Sequence, residues 1–119
     1  MSESIKSFRD LVIWQRAIQL AKEIYILTRG FPREEQFGLT SQVRRAAVSV
    51  SSNIAEGHAR QGREFGHFLS VARGSLAEAE SQLLLAVELE YLKLDSLTQA
   101  LGLAGEIRRM AVSLANKLA

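Results

Sequence analysis

The sequence predicts an all-α fold, an up-down-up-down four-helix bundle, on three observations. Apolar residues recur at helical spacing in four successive segments. The stretches between those segments are short, which makes consecutive helices antiparallel neighbours. One proline and eight aromatic residues in 119 leave too little turn punctuation for an all-β architecture. Hydrophobic residues make up 47% of the chain, a globular composition, and this length can bury a core without staples. The expectation is a single domain over residues 1–119, with helices at about 10–29, 36–57, 63–92 and 95–118.

Helix 1 carries two apolar stripes. Leu11, Trp14, Ile18, Ala21 and Tyr25 form one, and Ile13, Ala17, Leu20, Ile24 and Leu27 form a second, turned by roughly 110° from the first. Ser7 and Asp10 are candidate caps, and Gly30 with Pro32 ends the helix. Helix 2 presents Leu39, Val43, Ala46, Ala47, Val50 and Ile54, in a stretch rich in alanine and serine that lets a neighbour approach closely. Gly57 is expected to take the left-handed position that closes it, with Gly62 opening the next helix. Asn53, at the edge of the stripe, is expected to tie helix 2 to a neighbour.

Helix 3 is the longest. Phe65, Leu69, Ala72, Leu76, Ala79, Leu83 and Ala86 repeat without interruption, over a length of about 45 Å. Helix 4 starts near the cap Asp95 and carries Leu97, Leu101, Ala104, Ile107, Ala111, Leu114 and Leu118. Gly102 and Gly105 each cost it roughly 1 kcal/mol relative to alanine, for which close helix contact is the expected compensation.

The chemistry-bearing residues are sparse. There is no cysteine, which removes disulfides, thiolate zinc sites and cysteine catalysis. The stretch GHARQG has two glycines but lacks the Lys-Ser/Thr and the preceding strand of a phosphate loop. Glu56, His58, Glu64 and His67 cluster around the turn, yet di-iron bundles need two ExxH motifs and this chain has one. Solvated helix-end residues, with Glu56 pairing Arg60, Arg63 or Arg73, are the expectation. Ser49, Ser51, Ser52 and Ser75 have no acid–base partner arranged behind them. The sequence therefore predicts no catalytic residue, cofactor or metal.

Charge is uneven. Residues 1–73 hold 11 Lys/Arg against 7 Asp/Glu, a balance of +4, and residues 74–119 hold 4 against 6, a balance of −2. Arg44, Arg45, Arg60 and Arg63 lie in the basic half and are the candidate phosphate contacts. The competing reading has the same arginines paired with carboxylates. No base-reading motif is present. The N-terminal MSESIKSFRD has no apolar core of a signal, and no run is long enough to span a membrane, so a cytoplasmic protein is expected.

FRDLVIWQRAIQLAKEIY, FPREEQFGLTSQVRRAAVSVSSNIAEG and FLSVARGSLAEAE together resemble the four-helix bundle family encoded in intervening sequences of 23S rRNA genes. The likeness runs from about Phe8 to Leu92. It is carried by Gln42-x-Arg44-Arg45-Ala46-Ala47, Asn53-Ile54-Ala55-Glu56-Gly57 and Gly74-Ser75-Leu76, while helix 4 matches in pattern only. Gln61-Gly62 departs from it, since a better capping residue is expected there. The resemblance implies a ring-like homopentamer. It also implies kinship with the accessory variability proteins of diversity-generating retroelements, which form similar basic pentamers and associate with nucleic acid and a reverse transcriptase. It supplies no activity.

The leading expectation is a non-enzymatic oligomeric bundle that binds RNA or a nucleoprotein through its basic surface. The alternative is a structural or protein-interaction module with no nucleic-acid binding. Leaving the second stripe of helix 1 in water would forfeit roughly 1.5–3 kcal/mol per large side chain. Ile13, Leu20, Ile24 and Leu27 are therefore the expected homo-oligomer interface, with burial inside a wider single-chain core as the competing account.

Overall fold

A computed structural model describes residues 5–118. Four helices, α1 (Val12–Thr28), α2 (Leu39–Arg60), α3 (Gly62–Glu88) and α4 (Thr98–Leu118), run up, down, up and down in a bundle of 48 × 25 × 21 Å. Short 3-10 turns at Phe8–Asp10, Arg33–Glu35 and Leu94–Leu97 precede α1, α2 and α4. Each helix packs on its sequence neighbours, and α1 closes the square against α4, so α1 and α3 stand on a diagonal.

The helix ends differ from the sequence expectation, each for a local reason. Ser7 and Asp10 do cap, but they cap the first 3-10 turn: Ser7 Oγ accepts from the Arg9 amide at 3.2 Å, and Asp10 accepts from the Lys6 and Ser7 amides at 2.9 and 3.2 Å. Those two amides hold the Asp10 carboxyl below its ordinary value. The turn sets Phe8 edge-on against Trp14, with ring centres 5.1 Å apart.

Gly57 does not close α2. It lies buried inside the helix, which continues to Arg60. A β-carbon there would come within 2.7 Å of Phe68 Cβ and 2.9 Å of Phe65 Cδ1, so the glycine exists to let α3 cross closely. The left-handed backbone falls instead on Gln61 (φ 63°) and Gly62 (φ 58°). Above this crossing, Ser49 Oγ meets Ser75 Oγ at 2.8 Å. Asn53 does not reach another helix. Its amide donates to Ser49 O and Ser49 Oγ at 2.8 and 2.9 Å, and so orients the serine that does.

Two ion pairs brace the other seams, Arg16–Glu106 at 3.2 Å between α1 and α4 and Arg108–Glu80 between α4 and α3. The expected close contact at Gly102 and Gly105 is not made within the chain. Nothing lies within 4 Å of a β-carbon built on Gly102, and Gly105 meets only the Arg109 guanidinium at 3.4 Å.

At the opposite end a carboxylate joins two connections. Glu35 accepts from the Leu39 amide at 3.0 Å, capping α2, and from the Tyr91 hydroxyl at 2.9 Å. The Leu39 amide first, and then Tyr91, hold the Glu35 carboxyl below its ordinary value. The same bond pushes the Tyr91 hydroxyl up. Phe31 packs on Tyr91 with ring centres 5.5 Å apart, so the C-terminal ends of α1 and α3 are level.

Candidate interaction surfaces

The four arginines expected to contact phosphate separate into two kinds. Arg44 is committed to the fold: its Nε donates to Thr28 Oγ1 at 2.8 Å, and its guanidinium lies 4.4 Å from the centre of the Tyr25 ring. Thr28, buried at the end of α1, passes its own proton to Ile24 O at 2.8 Å. Arg44 therefore binds the last turn of α1 to α2 and is not a free surface cation. Arg60 is clamped by Glu56 at 3.0 Å and Glu64 at 3.3 Å, and lies over the Phe68 ring. Glu56, then Glu64, raise its pKa. The carboxylates of the candidate metal cluster are thereby engaged, while His58 and His67 pack edge-on against Phe65 and Phe68. Among the described residues no group of three or more ligating side chains converges.

Arg45 and Arg63 are exposed, and among the described residues neither lies within ion-pair distance of a carboxylate. Arg45 borders a shallow polar recess between α2 and α3, shared with Glu78 and Gln82. Arg63 stands in the first turn of α3. The structure therefore does not unite the four arginines in one basic face.

The expected subunit interface is corrected more sharply. Ile13, Leu20 and Ile24 are 4%, 1% and 0% exposed within the single chain, and Leu27 is half-buried against the same core. Ile13, Leu20 and Ile24 have no surface to offer another subunit. Both stripes of α1 are apolar, but α2 and α4 flank the one made of aliphatic and small residues. The other stripe lies at the edge of the core, with Leu11, Trp14 and Ala21 partly buried against it. Its Tyr25 is exposed, as is the adjacent Ile26.

Other exposed apolar residues were not singled out by periodicity. Leu84, Leu85, Leu89 and Leu94 lie around the C-terminal end of α3, and Phe37 is 89% exposed before α2. The signal was present in SQLLLAVELEYLKL, whose leucines outnumber the positions one helical stripe can bury.

The model of the 23S rRNA-intervening sequence protein family matches residues 9–113. The chain belongs to that family. A search of curated proteins finds no match. Among solved structures, the chain is similar to a protein of unknown function from the S23 ribosomal protein family of Bacteroides thetaiotaomicron. The two share 23% identity over 87% of this chain and 97% of that one, with a TM-score of 0.78. At that identity the likeness establishes the bundle fold of this intervening-sequence protein and nothing about what it binds. No helix of the described residues is long and apolar enough to cross a membrane.

Proposed function

We propose that this intervening-sequence protein is a non-catalytic, self-associating bundle whose work is done by contact with other macromolecules. The observation that carries the reading is the set of large apolar side chains left in water on opposite helices, Tyr25 and Ile26 on α1 and Leu84 and Leu85 on α3. Each isolated exposed leucine is ordinary, but clusters backed by a complete core mark an interaction surface. The titratable groups support the same reading: those in the turn cluster are spent on ion pairs and ring packing, leaving no acid–base pair to attack a substrate. Five subunits is the stoichiometry that the resemblance implies, and the cytoplasm the setting that the sequence favours. Sedimentation at micromolar concentration tests the proposal, and a monomeric wild type refutes it.

RNA or nucleoprotein binding is the second reading, favoured by one specific feature. The bundle end built from the start of α1, the α2–α3 turn and the end of α4 carries Lys6, Arg9, Arg63, Arg109 and Lys117 beyond the paired Arg60. In an assembly, copies of this end would add their fields. Arg63, with these neighbours, replaces Arg44 and Arg60 as the phosphate contact to test. Titration with structured RNA at two salt concentrations distinguishes the readings. Binding that weakens with salt and with Arg63→Glu supports this one, and no binding at low salt removes it.

A further inference from the structure

The polar recess between α2 and α3 has a volume of about 560 Å³, room for a small molecule. Ser49 meets Ser75 at 2.8 Å towards one end, and Gln42 meets Gln82 at 3.5 Å towards the other. That antiparallel register brings Arg45 level with Glu78 between them. The two walls differ in kind. On α2, Ser41, Arg45 and Ser49 recur every fourth residue, a row with the guanidinium at its centre. On α3, Glu78 and Gln82 stand four apart and present a carboxylate and an amide. Three of these groups lack a partner. Arg45 and Glu78 border the same space, yet among the described residues neither lies within ion-pair distance of an opposite charge. Gln82 Oε1 is buried and accepts no hydrogen bond. Turning the amide over does not help, because its nitrogen then takes the unpartnered place. A buried amide atom without a partner is costly, and a ligand that supplies one removes the cost.

We infer that the α2–α3 recess binds a small zwitterion, an amino acid with a polar side chain, its carboxylate on Arg45 and its ammonium between Glu78 and Gln82. The charges select this class by elimination. An anion is repelled by Glu78 and a cation by Arg45, while a neutral molecule takes water from both and returns nothing. A ligand carrying both charges satisfies both walls at once. The Arg45 fork suits a carboxylate, which can accept two parallel N–H bonds. An ammonium has three donors, enough for the Glu78 carboxylate and Gln82 Oε1 together. A small turn of the Gln82 side chain brings that oxygen from its buried place to the recess. The side chain of the ligand then lies along Ser41 and Gln42, which offer it a hydroxyl and an amide. Asn53 and Ser75 hold Ser49 in place at the far end. The site is independent of self-association, and a single chain contains all of it.

Nuclear magnetic resonance titration of the isotope-labelled full chain with L-glutamine tests the site. Saturable shifts are expected at Arg45, Glu78 and the Gln82 side-chain amide, with a dissociation constant of about 1 mM or tighter. N-acetyl-L-glutamine lacks the ammonium and L-glutaminamide lacks the carboxylate. Each should bind about tenfold more weakly or worse, the cost of one charge-assisted hydrogen bond. Arg45→Glu and Glu78→Arg should each weaken L-glutamine by a similar factor. Together they exchange the walls and should restore binding with the ligand reversed. Both positions are exposed, so helical circular dichroism should not change. Should a variant lose its fold, the capped probes on the wild type carry the test. L-alanyl-L-glutamine distinguishes the two sources of such a zwitterion: tighter binding than L-glutamine assigns the recess to short peptides, weaker binding to free amino acids. No saturable shift up to about 10 mM of either probe overturns the inference. So does equal binding of the capped probes, or binding unchanged in Arg45→Glu. Sedimentation reads self-association separately, so the failure of one reading is not the failure of the other.

Discussion

Gly57→Ala is the most direct probe of how α2 and α3 are joined. The added methyl carbon would start 2.7 Å from Phe68 Cβ and 2.9 Å from Phe65 Cδ1. The Phe65 ring can turn aside, but Phe68 Cβ moves only with the α3 backbone, so the helices must separate near their turn. Overpacking of this kind costs about 1–3 kcal/mol. Replacing a mid-helix glycine with alanine returns up to about 1 kcal/mol of helix propensity. The balance is a loss of about 1–2 kcal/mol, or a fall in Tm of roughly 3–10 °C for a chain of this length. Gly102→Ala is the matched control. It makes the same chemical change at a mid-helix site with nothing within 4 Å, and should raise Tm by a few degrees, about 1 kcal/mol at most. Thermal unfolding followed by circular dichroism at one protein concentration compares them, since association would make Tm depend on concentration. A Gly57→Ala protein as stable as the wild type would show that close approach is not why the glycine is there.

Leu20→Glu with Ile24→Glu places two carboxylates in the core, at several kcal/mol each, and should abolish the helical signal rather than yield a folded monomer. Gln61→Gly relieves a non-glycine residue at φ 63° and should stabilise by about 0.5–1 kcal/mol in urea unfolding, whereas Gln61→Pro should destabilise. Glu35 has a folded pKa below its unfolded one, so its stabilisation is full above the unfolded value and declines as pH falls through the folded value. Tyr91 runs the other way: its folded pKa is raised, so its contribution is full below the unfolded value near pH 10 and is lost as pH rises through the folded value. Glu35→Gln should flatten the acid side of a stability-against-pH curve, and Tyr91→Phe the alkaline side.

The bundle was legible in the sequence because α2, α3 and α4 each carry one unbroken apolar stripe at helical spacing, and period alone then assigns the core. It was not legible which face of α1 points inward, because Ile13–Leu20–Ile24 and Trp14–Ile18–Tyr25 satisfy the same period. What decides is packing: α2 and α4 hold α1 between them through Arg44 on Thr28 and Glu106 on Arg16, contacts far apart in sequence. Gly57 misled for a related reason. The local rule reads a glycine after a helical run as its end, whereas here tertiary approach set the residue and left the turn to Gln61 and Gly62. The arginines were legible as a group but not by role. A sequence shows charge, and only the fold shows that Arg60 spends it on two carboxylates.

The closure of the square has a consequence for the order in which the molecule is built. Three of its four seams join helices that follow one another along the chain, and only the α1–α4 seam joins its distant parts. During synthesis α1, α2 and α3 can pair as each emerges, at little loop-closure cost. Until α4 follows, the trough between α1 and α3 lies open, without the Ala100, Ala104, Ile107 and Ala111 that complete the core, and Glu80 is still without Arg108. The nascent bundle is at its stickiest just before α4 emerges, and that helix is the lid that ends the exposure.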